Sequence, residues 1–169
     1  MFLPFLFWFI EHPFFAAMLH VLDAIQNNRL FALRGTGKVD ALTLLAGSLG
    51  NAPAVDTVEE ILRREEELNT GIGLGMAVPH LRDEDGAGGI HCAIGWSAPG
   101  IDYEALDGQP VHLVVMYCIP GAQKNAYLKE ISGLIKALRK NGGIAPVANA
   151  PGLDAVRGIL QVWAEEPGS

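Results

Sequence analysis

Residues 69–82 read NTGIGLGMAVPHLR, and they contain most of the side chains and backbone features that could do chemistry. Gly71, Gly73 and Gly75 recur at two-residue spacing, which lets successive backbone N–H groups converge into a concave nest for an anion without a cation. The short apolar run after them ends in Pro79-His80. A neutral imidazole is a competent nucleophile toward phosphorus near neutral pH, since its ordinary pKa of about 6.5 leaves it mostly unprotonated. Arg64, in the preceding segment LRREEEL, is a cation of the kind that steadies a transferring phosphoryl group. Each residue also has a plainer use. His80 suits a strand-to-loop corner, Arg64 suits an i,i+4 pair with Glu60, and Glu65, Glu66 and Glu67 suit a solvated helix face.

Other chemistries fit less well. LRGTGKVD lacks a nucleotide P-loop, because Ala32 stands at the first glycine position and Val39 at the Ser/Thr position. GIGLG lacks a dinucleotide turn, because Met76 replaces the third glycine and a helix, not a strand, precedes it. With a formal net charge of −7 and no run of Lys or Arg longer than two, the chain has no basic stripe for nucleic acid. Cys92 and Cys118 lie inside apolar runs as small hydrophobes, which suits a reduced, cytoplasmic setting. His91-Cys92 has no second close pair to complete a metal site, and no metal or organic cofactor is expected. His20, His91 and His112 show no partner spacing, although His112 could lie near the site if strand ends converge there.

Elements must position these residues. Helical spacing of Phe15, Met18, Leu19, Leu22 and Ile25 predicts a helix over 14–27, and RLFALR suits a strand. KVDALTLLAGSLGN predicts a helix with Val39, Leu42, Leu45, Ala46 and Leu49 inward, ended by Gly50. Asp56 or Thr57 with Glu60 caps a helix reaching Leu68, with Val58, Ile61 and Leu62 as its stripe. Strands follow at 76–80, 90–96 and 111–118, the last a continuous apolar run suited to a sheet covered on both faces. A helix over 123–140 buries Leu128, Ile131, Ile135 and Leu138, and another covers 152–164. The expected architecture is α/β: one domain over 14–169, with a mixed β-sheet and helices packed on both faces. Residues 1–13 are read as an apolar appendage outside this fold, from an upstream start codon. Glu11, His12 and Pro13 break their apolar run before it reaches membrane-spanning length. The rival readings of this segment are partner binding or membrane-surface contact through Phe2, Phe5, Phe7, Trp8 and Phe9, and it is the one place where membrane contact could occur.

REEELNTGIGLGMAVPH, followed by GIDYEALDGQPVHLVVMYCIP and a helix beginning near Ala126, resembles the type-2 enzyme IIA domain of the phosphoenolpyruvate-dependent sugar phosphotransferase system. That is the mannitol/fructose class with its nitrogen-regulatory relatives, and the resemblance spans roughly residues 18–164. It implies a phosphocarrier that accepts a phosphoryl group from HPr on His80 and passes it to a IIB partner. Arg64 falls on the family's active-site arginine. Thr70, Gly71, Gly73 and Gly75 carry its threonine-glycine motif and are expected to hold phosphate. Three departures accompany the match. Leu74 and Leu68 stand where a polar residue, often asparagine, and a glycine are usual, and Tyr127 stands where the family has its second active-site histidine. Tyrosine can donate a hydrogen bond to phosphate but carries no positive charge. Tyr127 is therefore either a phosphate-binding residue or an aromatic beside a helix core stripe. The rival function is a regulatory or scaffold domain that keeps the fold without transferring phosphate.

Overall fold

A strand apolar along its whole length must be covered on both faces, and Val111–Pro120 becomes the strand around which the sheet is assembled. The structure is a computed structural model and describes residues 18–34, 37–49, 56–83 and 88–165. Its strands are β1 (Leu30–Ala32), β2 (Gly71–Gly73), β3 (Met76–Ala77), β4 (His80–Asp83), β5 (His91–Ile101) and β6 (Val111–Pro120). They form one sheet in the order β1-β5-β6-β3-β2, with β4 also paired to β6. β5 and β6 are antiparallel, β1 lies parallel to β5, and β3 and β4 lie parallel to β6. The helices are α1 (Leu19–Gln26), α2 (Lys38–Gly47), α3 (Asp56–Glu67), α4 (Lys124–Lys140), α5 (Ala145–Ala148) and α6 (Leu153–Glu165).

Alternation along β6 divides the core in two. Leu113, Val115 and Tyr117 pack with Val21 and Ile25 of α1, Leu134 and Leu138 of α4, and Leu160 and Trp163 of α6. Val114, Met116 and Cys118 face the other way, toward Leu42 and Leu45 of α2 and Ile61 of α3. This is the mixed sheet with helices on both faces expected from the sequence. Leu42, Leu45, Ala46 and Leu49 are buried as expected, but two residues expected inside are not. Val39 and Leu128 are half exposed, at 55% and 50%. The buried stripe of α4 instead runs through Tyr127, Glu130, Leu134, Ala137 and Leu138. The helix expected over 14–27 is seen from Leu19, and residues 1–13, Gly50 and the side chains of Asp56 and Thr57 lie outside the described residues.

The shift in α4 has a polar cause. Glu130 is 1% exposed and accepts hydrogen bonds from the backbone N–H groups of His20 (3.2 Å) and Val21 (3.0 Å) and from the Tyr117 hydroxyl (3.3 Å). Its carboxylate also pairs with His20 Nδ1. The first turn of a helix leaves N–H groups without intrahelical partners, so α4 supplies the cap that α1 lacks in its own sequence. Replacing Glu130 with Ala should strand these donors in the interior and cost about 3 kcal/mol, read as a lower urea midpoint.

The expected strand over 76–80 is two pieces. Proline has no N–H for the ladder, so pairing lapses at Val78-Pro79 and resumes at His80, while Tyr117 N–H donates to the Pro79 carbonyl at 3.0 Å. The glycine run also differs from expectation. GIGLG is a hairpin in which Gly71 pairs with Ala77 and Gly73 with Met76. Its turn residues, Leu74 and Gly75, have φ of +62° and +73°, the pattern of a type I′ turn. Leucine is a poor choice there, because its Cβ crowds the carbonyl in the left-handed region. The Leu74 N–H donates to Asp107 Oδ2 at 3.1 Å, which holds the turn against the 106–108 loop. Leu74→Asn keeps that N–H and suits the turn, so it should stabilise the fold by about 1 kcal/mol, seen as a higher urea midpoint with unchanged slope.

Candidate functional site

Pro79 ends one ladder segment and His80 begins the next, level with Tyr117 of β6. Alternation along β4 places His80 and Arg82 on the same side of the strand. The half-buried His80 ring stands between two cavities. The first, about 370 Å³, is lined by His80, Arg82, Pro120, Lys124, Tyr127 and Leu128 among others. The second, about 290 Å³, is lined by Arg63, Arg64, Glu65, Thr70, His80 and Arg82 among others. His80 and Arg82 belong to both.

His80 Nδ1 is buried and meets no partner in hydrogen-bonding geometry. Burial holds the ring's pKa below its ordinary 6.5, and the Arg64 and Arg82 charges push it the same way. The Val78 backbone beside the ring and the Glu65 charge pull against them. The net result is a neutral ring at pH 7, the form with a lone pair to offer. Tyr127 lies beside it, with ring centroids 5.3 Å apart and planes tilted by 40°. Its other neighbour is Tyr117, met edge-on at 5.3 Å. Burial pushes the Tyr127 hydroxyl up to about 12, with Arg82 opposing, so the phenol stays neutral.

Arg64 reaches the second cavity from the last turn of α3, and it also makes the expected i,i+4 pair, Nη2 to Glu60 Oε1 at 2.9 Å. Glu65 is not the solvated residue its acidic run suggested. It is 5% exposed, accepts from the Thr70 N–H (3.2 Å) and hydroxyl, and pairs with Lys38 Nζ at 3.0 Å. The Thr70 hydroxyl meets the Tyr103 hydroxyl at 3.1 Å, and Lys38 sits 4.9 Å above the Tyr103 ring. This cluster fixes the end of α3, and with it Arg64, against the start of β2.

The structure thus brings His80, Arg64, Thr70 and Tyr127 together. It does not bring the glycine turn. The Gly75 carbonyl accepts from His112 (2.8 Å) and Leu113 (3.3 Å), whereas His80 is level with Tyr117. Leu113 and Tyr117 are four positions apart on the strand, about 13 Å. Gly73 and Gly75 therefore form no nest around the histidine, because their φ > 0 backbone is spent on reversing the chain. Gly71, next to Thr70, is paired to Ala77. His112 lies with the turn, its Nδ1 bonded to the carbonyls of Ser97 (3.0 Å) and Ala98 (3.1 Å). Sequence reasoning missed Arg82. Two-residue spacing from His80 on a strand was the available signal, hidden because the strand was expected to end at residue 80.

A ring-proton NMR titration of His80 should give a midpoint below 6.5, moving upward in Arg64→Gln. The folded ring binds its proton more weakly than the unfolded ring, so the folded state loses stability as pH falls through about 6.5. His80→Gln should remove that part of the acid-side loss, measured as a flatter urea midpoint between pH 7 and 5.

Comparison with known proteins follows the same lines. Residues 25–162 match the family described as phosphoenolpyruvate-dependent sugar phosphotransferase system, EIIA 2. The chain is 38% identical over 117 residues to the PTS system fructose-specific EIIABC component of Bacillus subtilis, covering 68% of this chain but only 18% of that longer protein. It is 30% identical over 125 residues to the PTS system fructose-specific EIIA component of Haloferax volcanii, covering 73% of this chain and 80% of that one. In fold it is similar to the nitrogen regulatory protein IIA-Ntr of Neisseria meningitidis, with TM-score 0.61, 24% identity, and coverage of 78% of this chain and 91% of that one. It is likewise similar to enzyme IIAMTL in its complex with phosphorylated enzyme IIBMTL from Escherichia coli, with TM-score 0.63, 19% identity, and coverage of 79% and 94%. With a match over most of its length, and a fold shared with solved IIA structures, this chain belongs to the type-2 EIIA family of the phosphoenolpyruvate-dependent sugar phosphotransferase system.

Proposed function

We propose that this EIIA domain is a phosphocarrier that accepts a phosphoryl group on His80 from an HPr-like protein. It then yields the group to a IIB component or holds it as a regulatory signal. The observation that carries this reading is a neutral, half-buried imidazole between two cavities that both contain arginine. With Nδ1 buried, Nε2 is the nitrogen left for in-line attack. The donor's N–P bond breaks as the Nε2–P bond forms, and the ring proton that His80 gives up balances the one that the departing imidazole takes up. Arg64 and the other cations offset the charge on the phosphoryl oxygens, with no metal in the step. Thr70 acts by positioning, since its hydroxyl is committed to Glu65 and Tyr103. The IIB partner is proposed from the Escherichia coli complex, and a cytoplasmic setting follows from these partners. No helix among the described residues is long and apolar enough to cross a membrane. Transfer is assigned to residues 14–169, with residues 1–13 outside it.

A second reading, a regulatory or scaffold domain that binds without transferring, is favoured by one observation: the aromatic residue beside His80 is an uncharged tyrosine. Intact-mass measurement after incubation with phosphoenolpyruvate, enzyme I and HPr separates the two. The carrier reading expects one acid-labile phosphate on the wild type and none on His80→Ala. No phosphate on either, with another EIIA domain charged in parallel, establishes the second reading.

A further inference from the structure

The cavity beside Tyr127 has a composition at odds with the rest of the chain. The protein carries a net charge of −7, yet the described residues lining this cavity include Arg82, Lys124 and His80 and no carboxylate. A 3₁₀ turn over Gly121–Gln123 leads into α4, and Gly121 and Lys124, the first residue of α4, both line the cavity, which places it by the positive end of the helix dipole. An anion there meets two cations and no carboxylate among the described residues. Tyr127 can contribute at most a hydrogen bond, because its hydroxyl stays neutral.

Arg82 differs from Arg64 in two ways. It lines both cavities, whereas Arg64 lines only the second, and its charge is felt by both the His80 and the Tyr127 rings. Its guanidinium also makes no ion pair among the described residues, while Arg64 is held by Glu60 at 2.9 Å. A guanidinium two residues along the strand from an acceptor histidine has the planar donors that suit the oxygens of a phosphoryl group.

We propose that Arg82 is a catalytic residue of phosphoryl transfer in this protein, contacting the phosphoryl oxygens from the Tyr127 side of His80 and supplying the positive charge that the tyrosine cannot. Arg64 contacts the same group from the opposite side, so the two arginines flank the N–P bond. Lys124, at the helix end, adds to the field without being aimed at the acceptor atom by the strand. This assignment builds on His80 as phosphoryl acceptor, and its test separates the two.

The rate at which phosphate appears on the full chain is measured by intact mass, from phosphoenolpyruvate, enzyme I and HPr, for wild type, Arg82→Gln, Arg82→Lys and Tyr127→Phe. Arg82 is exposed, so Arg82→Gln is expected to fold, and coincident urea midpoints check this. Arg82→Gln should charge about a hundredfold more slowly than wild type, as for loss of one preorganised donor. Arg82→Lys should recover at least about a tenth of the wild-type rate, and Tyr127→Phe should lose less than Arg82→Gln. Charging of Arg82→Gln within about threefold of wild type overturns the role of Arg82 while leaving His80 as acceptor. A slow Arg82→Gln that Arg82→Lys does not improve reduces Arg82 to a structural role and equally overturns it. A wild type that takes no phosphate overturns both.

Discussion

Everything in this molecule is registered against β6. Its backbone is bonded to β5 on one side and to β3 and β4 on the other, and its side chains enter a different core on each face. A strand so placed cannot slip by one residue without exchanging Val115 and Tyr117 for Val114 and Met116 across the sheet, which would empty one core and overfill the other. That constraint fixes the height of Tyr117, and Tyr117 fixes the height of His80 beside it. The interruption at Pro79 then acts within a frame that cannot adjust. The missing N–H breaks the ladder at one point and leaves the histidine at the start of the resumed strand, between the elements of both faces.

Each face secures its helices with one buried carboxylate. On one side Glu130 of α4 binds the first turn of α1 and the Tyr117 hydroxyl. On the other, Glu65 of α3 binds Thr70 and Lys38. Buried acids without partners are costly, so each carboxylate defines one arrangement of helix against sheet in which its bonds are all made. Both clusters abut the site, Glu130 through Tyr117 and Tyr127, and Glu65 through its neighbour Arg64 and through Thr70. The positioning of the histidine's surroundings is thus a property of the packed interior, with little left to flexible loops.

The electrostatics are local and run against the global charge. A chain of net −7 repels anions at long range, but screening confines that repulsion to about one Debye length, roughly 8–10 Å at cellular salt. Next to His80, Arg82 and Lys124 line one cavity and Arg63, Arg64 and Arg82 line the other. Burial, joined by the Arg64 and Arg82 charges, disfavours a proton on His80 and keeps the ring neutral.

The sequence by itself determined a good deal: the α/β class, the core strand from its unbroken apolar run, and the family from the glycine-threonine and Pro-His motifs. It also singled out His80, Arg64, Thr70 and Tyr127, all of which meet at one place. Those features are local, set by side-chain period, by backbone freedom at glycine and by the missing N–H of proline. The sequence could not separate a glycine nest from a glycine hairpin, because both need φ > 0 at neighbouring residues; strand pairing decided it, moving Gly73 and Gly75 about 13 Å from the histidine. Nor could it tell Glu65 from Glu66 and Glu67, or Leu128 from Tyr127, since a helix has no inside until another element covers one of its faces. Arg82 came into view only when the strand resumed past Pro79. What a residue is made of was legible in the chain, and what it faces was set by the packing of elements distant in sequence.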